Sequence, residues 1–102
     1  MKYQVIFSPE AEAHLLSIYD YVASEASPET ARRFTDAITD YCAGLTSFPE
    51  RGHKRDDLRA GLRIIGFRRR VAIAFTIGNS QVDVIGIFYG GQDYEAVLTD
   101  DL

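Results

Sequence analysis

The stretch RVAIAFTIGNSQVDVIGIFY, residues 70–89, decides the fold. In its first half Val71, Ile73, Phe75 and Ile77 fall on one side, and Ala72, Ala74 and Thr76 on the other. A period of two in β-branched and aromatic residues is the signature of a strand. The second half repeats it, with Val82, Val84 and Phe88 on one face and Ile85, Ile87 and Tyr89 on the other. Gly78-Asn79 between the halves tolerates positive φ and reads as a tight hairpin turn. Upstream, Leu62 to Phe67 reads as another strand. Three consecutive strands with short turns make an antiparallel meander.

Working back towards the N-terminus, the same punctuation occurs twice, as Ser8-Pro9-Glu10 and as Ser27-Pro28-Glu29. Serine caps free amides, proline suits the first helical turn, and glutamate suits the positive end of the helix dipole. The first helix carries Ala11, Leu15, Ile18, Tyr19, Val22 and Ala26 at steps of three and four, and the second carries Ala31, Phe34, Ile38, Tyr41 and Leu45. These are buried stripes. Their short connection folds the pair back as a helical hairpin. Residues 3–7 form a first strand, and the polar run from Phe48 to Gly61 reads as a loop. The expected fold is therefore a single α+β domain over residues 1–102. It has two layers in the order β-α-α-β-β-β, with the helical hairpin on one face of an antiparallel sheet.

Two helices cover one sheet face only. Unless the tail after Gly90 lies over the other, Ala72, Ala74, Ile85 and Ile87 form an apolar surface on which a protein partner docks.

The 102 residues leave room for one core, and Cys42, the single cysteine, forms no internal disulfide. The N-terminal apolar run is too short for a signal-peptide core, and no run is long enough to span a bilayer. The expected compartment is the cytoplasm, with no membrane contact. The chain has a net charge of −4, but eight lysines and arginines against two aspartates give residues 51–70 a charge of +6. A basic patch on an acidic body follows.

Several chemistries find no residues. His14 and His53 lie far apart, Cys42 has no second thiol, and neither a nucleophile elbow nor a phosphate-binding glycine loop occurs, so no metal or cofactor is expected. What is left is the basic segment with Tyr89 and Tyr94. Guanidinium groups pair with phosphate and rings stack on bases. A metal-free nuclease built here would use Arg63 to stabilise the phosphorane and Tyr89 to move a proton. The plainer reading makes Arg63 an ion-pair partner of Asp57 or Asp93 and Tyr89 a core aromatic at a strand end.

Ser8-Pro9-Glu10-Ala11-Glu12 followed by Ile18-Tyr19-Asp20-Tyr21-Val22 resembles the first helix of ParE-type toxins of the RelE/ParE superfamily. Phe48-Pro49-Glu50-Arg51-Gly52 with Asp57-Leu58-Arg59 and Gly61-Leu62-Arg63 resembles the loop and second strand of that family. Phe88-Tyr89-Gly90-Gly91 with Asp93-Tyr94-Glu95 resembles its C-terminal signature. The resemblance implies the toxin of a type II toxin–antitoxin module, a plasmid-stabilisation system whose partner antitoxin wraps the toxin. ParE-type members inhibit DNA gyrase and cause growth arrest, whereas RelE-type members cut mRNA on the ribosome. A ribosome-bound nuclease should be strongly basic, and the sequence pI is about 5.0. Gln92 also stands where the family often has arginine or lysine.

The expectation is thus a gyrase-binding toxin with no chemistry of its own, touching its target through Arg59, Arg63, Arg68, Arg69, Tyr89 and Tyr94. The alternatives are a metal-independent endoribonuclease acting through Arg63 and Tyr89 on mRNA at the ribosome, or an inactive homologue. A homodimer and a larger toxin–antitoxin complex are both left open.

Overall fold

A computed structural model describes residues 3–90 and 94–98. Strand β1 (Gln4–Phe7) leads into helices α1 (Pro9–Glu25) and α2 (Pro28–Ala43), and one 3₁₀ turn over Gly44–Thr46 ends the hairpin. Then follow β2 (His53–Lys54), β3 (Leu62–Phe67), β4 (Val71–Gly78), β5 (Gln81–Tyr89) and a short helix α3 (Tyr94–Leu98). Both expected caps form. Ser8 Oγ accepts from the Ala11 N–H at 3.0 Å and Ser27 Oγ from the Thr30 N–H at 3.1 Å. Each satisfies a donor that the first helical turn would otherwise leave unpaired.

The five strands lie in the order β1-β5-β4-β3-β2. The β3-β4-β5 meander is antiparallel as expected, but β1 runs parallel to β5, from Gln4 opposite Gln81 to Phe7 opposite Val84. The sheet is therefore mixed. The chain leaves β1 through both helices and re-enters the sheet at its far side, so β1 is a parallel edge. The segment expected to be a loop also contributes a strand: β2 pairs with β3 through His53–Ile64 and Lys54–Arg63. The last hairpin turns at Asn79-Ser80, one residue later than expected, and Ser80 takes the positive φ of 62°.

A bulge decides which face each residue of β5 serves. Phe75 pairs with Val84 and Ala74 with Gly86, so Ile85 is an extra residue on β5. An extra residue reverses the alternation beyond it. Val82 and Val84 before the bulge, and Ile87 after it, all join the core beneath the helices with Ile18, Ile38, Leu45, Ile73 and Phe75, and Tyr89 packs against that core. Phe88 goes to the opposite face. This corrects the expected pairing of Ile87 with Ile85.

The opposite face is not bare. Leu62, Ile64, Ala74 and Phe88 form a second cluster closed by Leu98 of α3, which is 3% exposed, with Leu58, Ala72 and Ile85 half-buried around it. Glu95 fastens α3 to the β2–β3 connection through Arg55 at 3.1 Å. The expected docking surface is therefore reduced. Ala74 is fully buried and Ile87 belongs to the other core, leaving Ala72 and Ile85 at the border of α3.

Candidate functional site: an arginine turn beside a cavity

Between β3 and β4 the chain reverses over Arg68, Arg69 and Arg70, all exposed. Arg68 (φ 52°) and Arg69 (φ 65°) both occupy the left-handed region. That region normally falls to glycine or asparagine, and a residue with a full side chain is strained there by about 1–3 kcal/mol. Arginine is thus held at two positions where local conformation disfavours it. Among the described residues none of the three has a carboxylate at ion-pair distance. The Arg68 guanidinium instead lies 4.9 Å over the Phe67 ring, which leans on Tyr41 with ring centroids 4.9 Å apart. Cation–π contact steadies the group without neutralising it.

The turn is tied to the end of β5, where the Gly90 N–H donates to the Arg70 carbonyl at 2.8 Å. Beside it, between α1 and β5, opens a cavity of about 440 Å³ lined by His14, Ser17, Ile18, Tyr21, Arg70, Ile87, Tyr89 and Gly90. Tyr89 stands within it, its ring 5.7 Å from Tyr21 and edge-on to Phe34 at 5.6 Å. Tyr21 is 53% exposed at the mouth. His14 reaches the β5 backbone beyond the point where β1 has ended, and its Nδ1 accepts the Ile87 N–H at 3.0 Å. That bond requires a lone pair on Nδ1, so the neutral ring carries its proton on Nε2. Burial pushes the His14 pKa down, with Glu10 opposing.

At the other end of β3 the remaining arginines are engaged differently. Arg63 Nη1 donates to the Arg51 carbonyl at 3.3 Å, and Arg51 donates to the Tyr41 hydroxyl while lying over that ring. Arg55 makes a two-toothed pair with Asp57 at 2.9 Å, holding that carboxyl below its usual range, and also reaches Glu95. The expected Arg63–Asp57 pair is thus replaced by Arg55–Asp57. Arg59 is half-buried, its carbonyl accepting the Leu62 N–H at 3.1 Å.

The predicted target-binding residues therefore divide: Arg68, Arg69 and Tyr89 share one end of the sheet, Arg59 and Arg63 the other. The side chain of Tyr94 lies outside the described residues, as do Gln92 and Asp93. Arg63 pairs with Phe75 and Tyr89 with Val71 on β4, four residues apart and on strands either side of it. Strand geometry puts their backbones roughly 16 Å apart.

A family model described as the ParE toxin of the type II toxin–antitoxin system parDE matches residues 5–94. The chain belongs to the ParE toxin family. The match takes in both ends of the basic segment, the arginine turn and the bracing cluster alike. No protein with a curated description matches the sequence. Among solved structures, a chain of the chromosomal ParDE system from P. aeruginosa superposes with a TM-score of 0.76 at 20% identity, covering 87% of this chain and 97% of that one. A chain of the RelBE2 toxin–antitoxin complex from Mycobacterium tuberculosis gives 0.63 at 16% identity, covering 87% and 99%. At such identities the likeness is one of fold: two helices on a mixed sheet.

The ParE-type motif residues acquire physical reasons here. Pro49 is buried, Arg51 lies over Tyr41, and Gly52, at φ 78°, sits where any Cβ would collide with the Ile64 carbonyl. Cys42 is fully buried, its thiol pushed up to about 12 by desolvation, which favours the neutral thiol over the nucleophilic thiolate. Among the described residues, no helix is long and apolar enough to cross a membrane. His14, Tyr21 and Arg70 were missed as site residues in the sequence. The seven-residue spacing of His14, Ile18 and Tyr21 marks one face of α1 and could have pointed to them.

Proposed function

We propose that this ParE-family toxin acts by binding DNA gyrase through the arginine turn and the adjoining Tyr89, with no bond-breaking chemistry of its own. The observation that carries this reading is the split of the predicted site. The backbones of Arg63 and Tyr89, the pair that a metal-free nuclease would use on one phosphate, lie roughly 16 Å apart on separate strands. A single phosphorane needs both side chains to reach it at once, whereas Arg63 donates to the Arg51 carbonyl at one end and Tyr89 packs on Tyr21 and Phe34 at the other. Turn arginines that meet no acid partner among the described residues, by contrast, make a cationic projection suited to a macromolecular surface.

The antitoxin is the second partner. Ala72 and Ile85, half-buried beside α3, together with Val97, 61% exposed, offer an apolar border where an amphipathic segment adds to the cover that Leu98 begins. Ala74 lies buried within the same cluster, and Ile87 faces the helices on the other side of the sheet.

Purified protein is added to gyrase supercoiling and cleavage reactions, beside a translating extract scored for mRNA cuts. The proposal expects stabilised cleaved gyrase–DNA and uncut mRNA. Codon-phased cuts with unaffected gyrase would reverse it in favour of the ribosome-dependent nuclease.

A further inference from the structure

The cavity at the α1–β5 seam has a definite chemical character. Its polar side chains are all able to donate: the Ser17, Tyr21 and Tyr89 hydroxyls, the Arg70 guanidinium, and the Nε2–H that the Ile87 bond leaves on His14. No carboxylate stands among its described lining residues, and Ile18 and Ile87 supply apolar wall. One of its two tyrosine rings is exposed at the mouth and the other stands inside, tilted by 55° to it. A ligand for this space is flat, rich in acceptors and negatively charged at the rim. Next to Arg70 in the turn, Arg68 and Arg69 add two further exposed cations, both in the left-handed backbone region.

We propose that the cavity and the arginine turn together bind a single strand of nucleic acid. One unstacked base enters beside Tyr21 and Tyr89, and successive phosphates lie on Arg70, Arg69 and Arg68. Base–aromatic stacking tolerates any sequence, and guanidinium groups supply the phosphate contacts. Duplex is a poor ligand, because its bases are stacked and paired and cannot enter. Outside residues 51–70 the chain carries −10, which disfavours a polyanion there. Within that segment Arg51, Arg55 and Arg63, at the other end of β3, are already bonded to protein groups, which favours contact at the turn. This goes beyond the gyrase proposal and is tested with gyrase absent, so its failure leaves that proposal standing.

The experiment is fluorescence anisotropy of the full chain with a labelled twelve-residue oligothymidylate. The expected affinity falls with salt along a slope of about 2 on logarithmic axes, three phosphate contacts at about 0.7 each. Tyr21→Ala and Arg70→Ala each weaken binding about ten-fold or more. Lys54→Ala, at the opposite sheet edge, leaves it unchanged. A 2-aminopurine base in the strand is expected to be quenched on binding by wild type and not by Tyr21→Ala, a readout that a loss of charge alone does not produce. Duplex of the same length should bind about ten-fold more weakly, and adenosine monophosphate should compete only at far higher concentration. The proposal is overturned by absence of binding at low salt, or by equal binding of duplex. It is also overturned by equal competition from the mononucleotide or from polyglutamate, since the first removes the turn's share and the second makes the site one for acidic peptide.

Discussion

The two ends of strand β3 carry arginines that lie close together in sequence and do opposite things. At its start, Arg51, Arg55 and Arg63 are bonded to a carbonyl, a phenol or carboxylates, and hold the β2–β3 connection and α3 in place. At its end, Arg68, Arg69 and Arg70 meet no acid among the described residues and occupy a turn that strains two of them. Charge at the first end is spent inside the molecule, and charge at the second is offered outside. A basic run in a sequence is therefore not one patch. What distinguishes its halves is whether carboxylate, carbonyl and hydroxyl oxygens fold against it.

The largest expected effect tests the bracing end. Gly52→Ala drives a Cβ into the Ile64 carbonyl at a positive φ and should cost about 3 kcal/mol, a fall in Tm of roughly 15 °C by calorimetry. A smaller loss, about 2–3 kcal/mol in urea denaturation, is expected for Leu98→Ala, which opens the second cluster. If that change proves neutral, α3 does not close the second face. The turn should respond in the opposite sense. Arg68→Asn combined with Arg69→Gly relieves left-handed strain and should raise stability by about 1 kcal/mol, while weakening growth arrest in cells expressing the toxin without antitoxin. A gain in stability with loss of function is what separates a functional strain from an accidental one.

The smallest effect is electrostatic. Burial lowers the His14 pKa, so the unfolded chain takes up the proton more readily than the folded one. Stability from the His14–Ile87 bond is then complete above the ordinary histidine value of about 6.5 and is lost as pH falls below it. Wild type should lose slightly more stability than His14→Gln on acidification through that range, by under about 1 kcal/mol once solvent screening of the partly exposed ring is allowed for.

Much of this was legible in the sequence. The two Ser-Pro-Glu starts, both helix stripes and the β3-β4-β5 meander follow from capping chemistry and periodicity, which are local. The face assignment of Ile87 was not, because Val84-Ile85-Gly86-Ile87-Phe88 is apolar on either side of a glycine and offers no alternation to break. Gly86 itself was the available hint, since a glycine within a strand often marks a bulge. The parallel β1 edge and the cover from Leu98 depend on where distant segments come to rest, which no local pattern encodes. Likewise His14 lies 73 residues from the Ile87 amide it accepts, so its part in the cavity appears only in the folded chain.

The most direct measurement is inhibition of gyrase supercoiling by wild type, by the Arg68→Asn, Arg69→Gly variant and by Arg63→Gln, each checked for folding at the assay temperature. The division of labour along β3 predicts that the turn variant inhibits at least about ten-fold more weakly at equal or higher Tm, whereas folded Arg63→Gln inhibits like wild type at lower Tm. Full inhibition by the turn variant together with loss of it in folded Arg63→Gln would contradict that division and place the working surface at the other end of the strand.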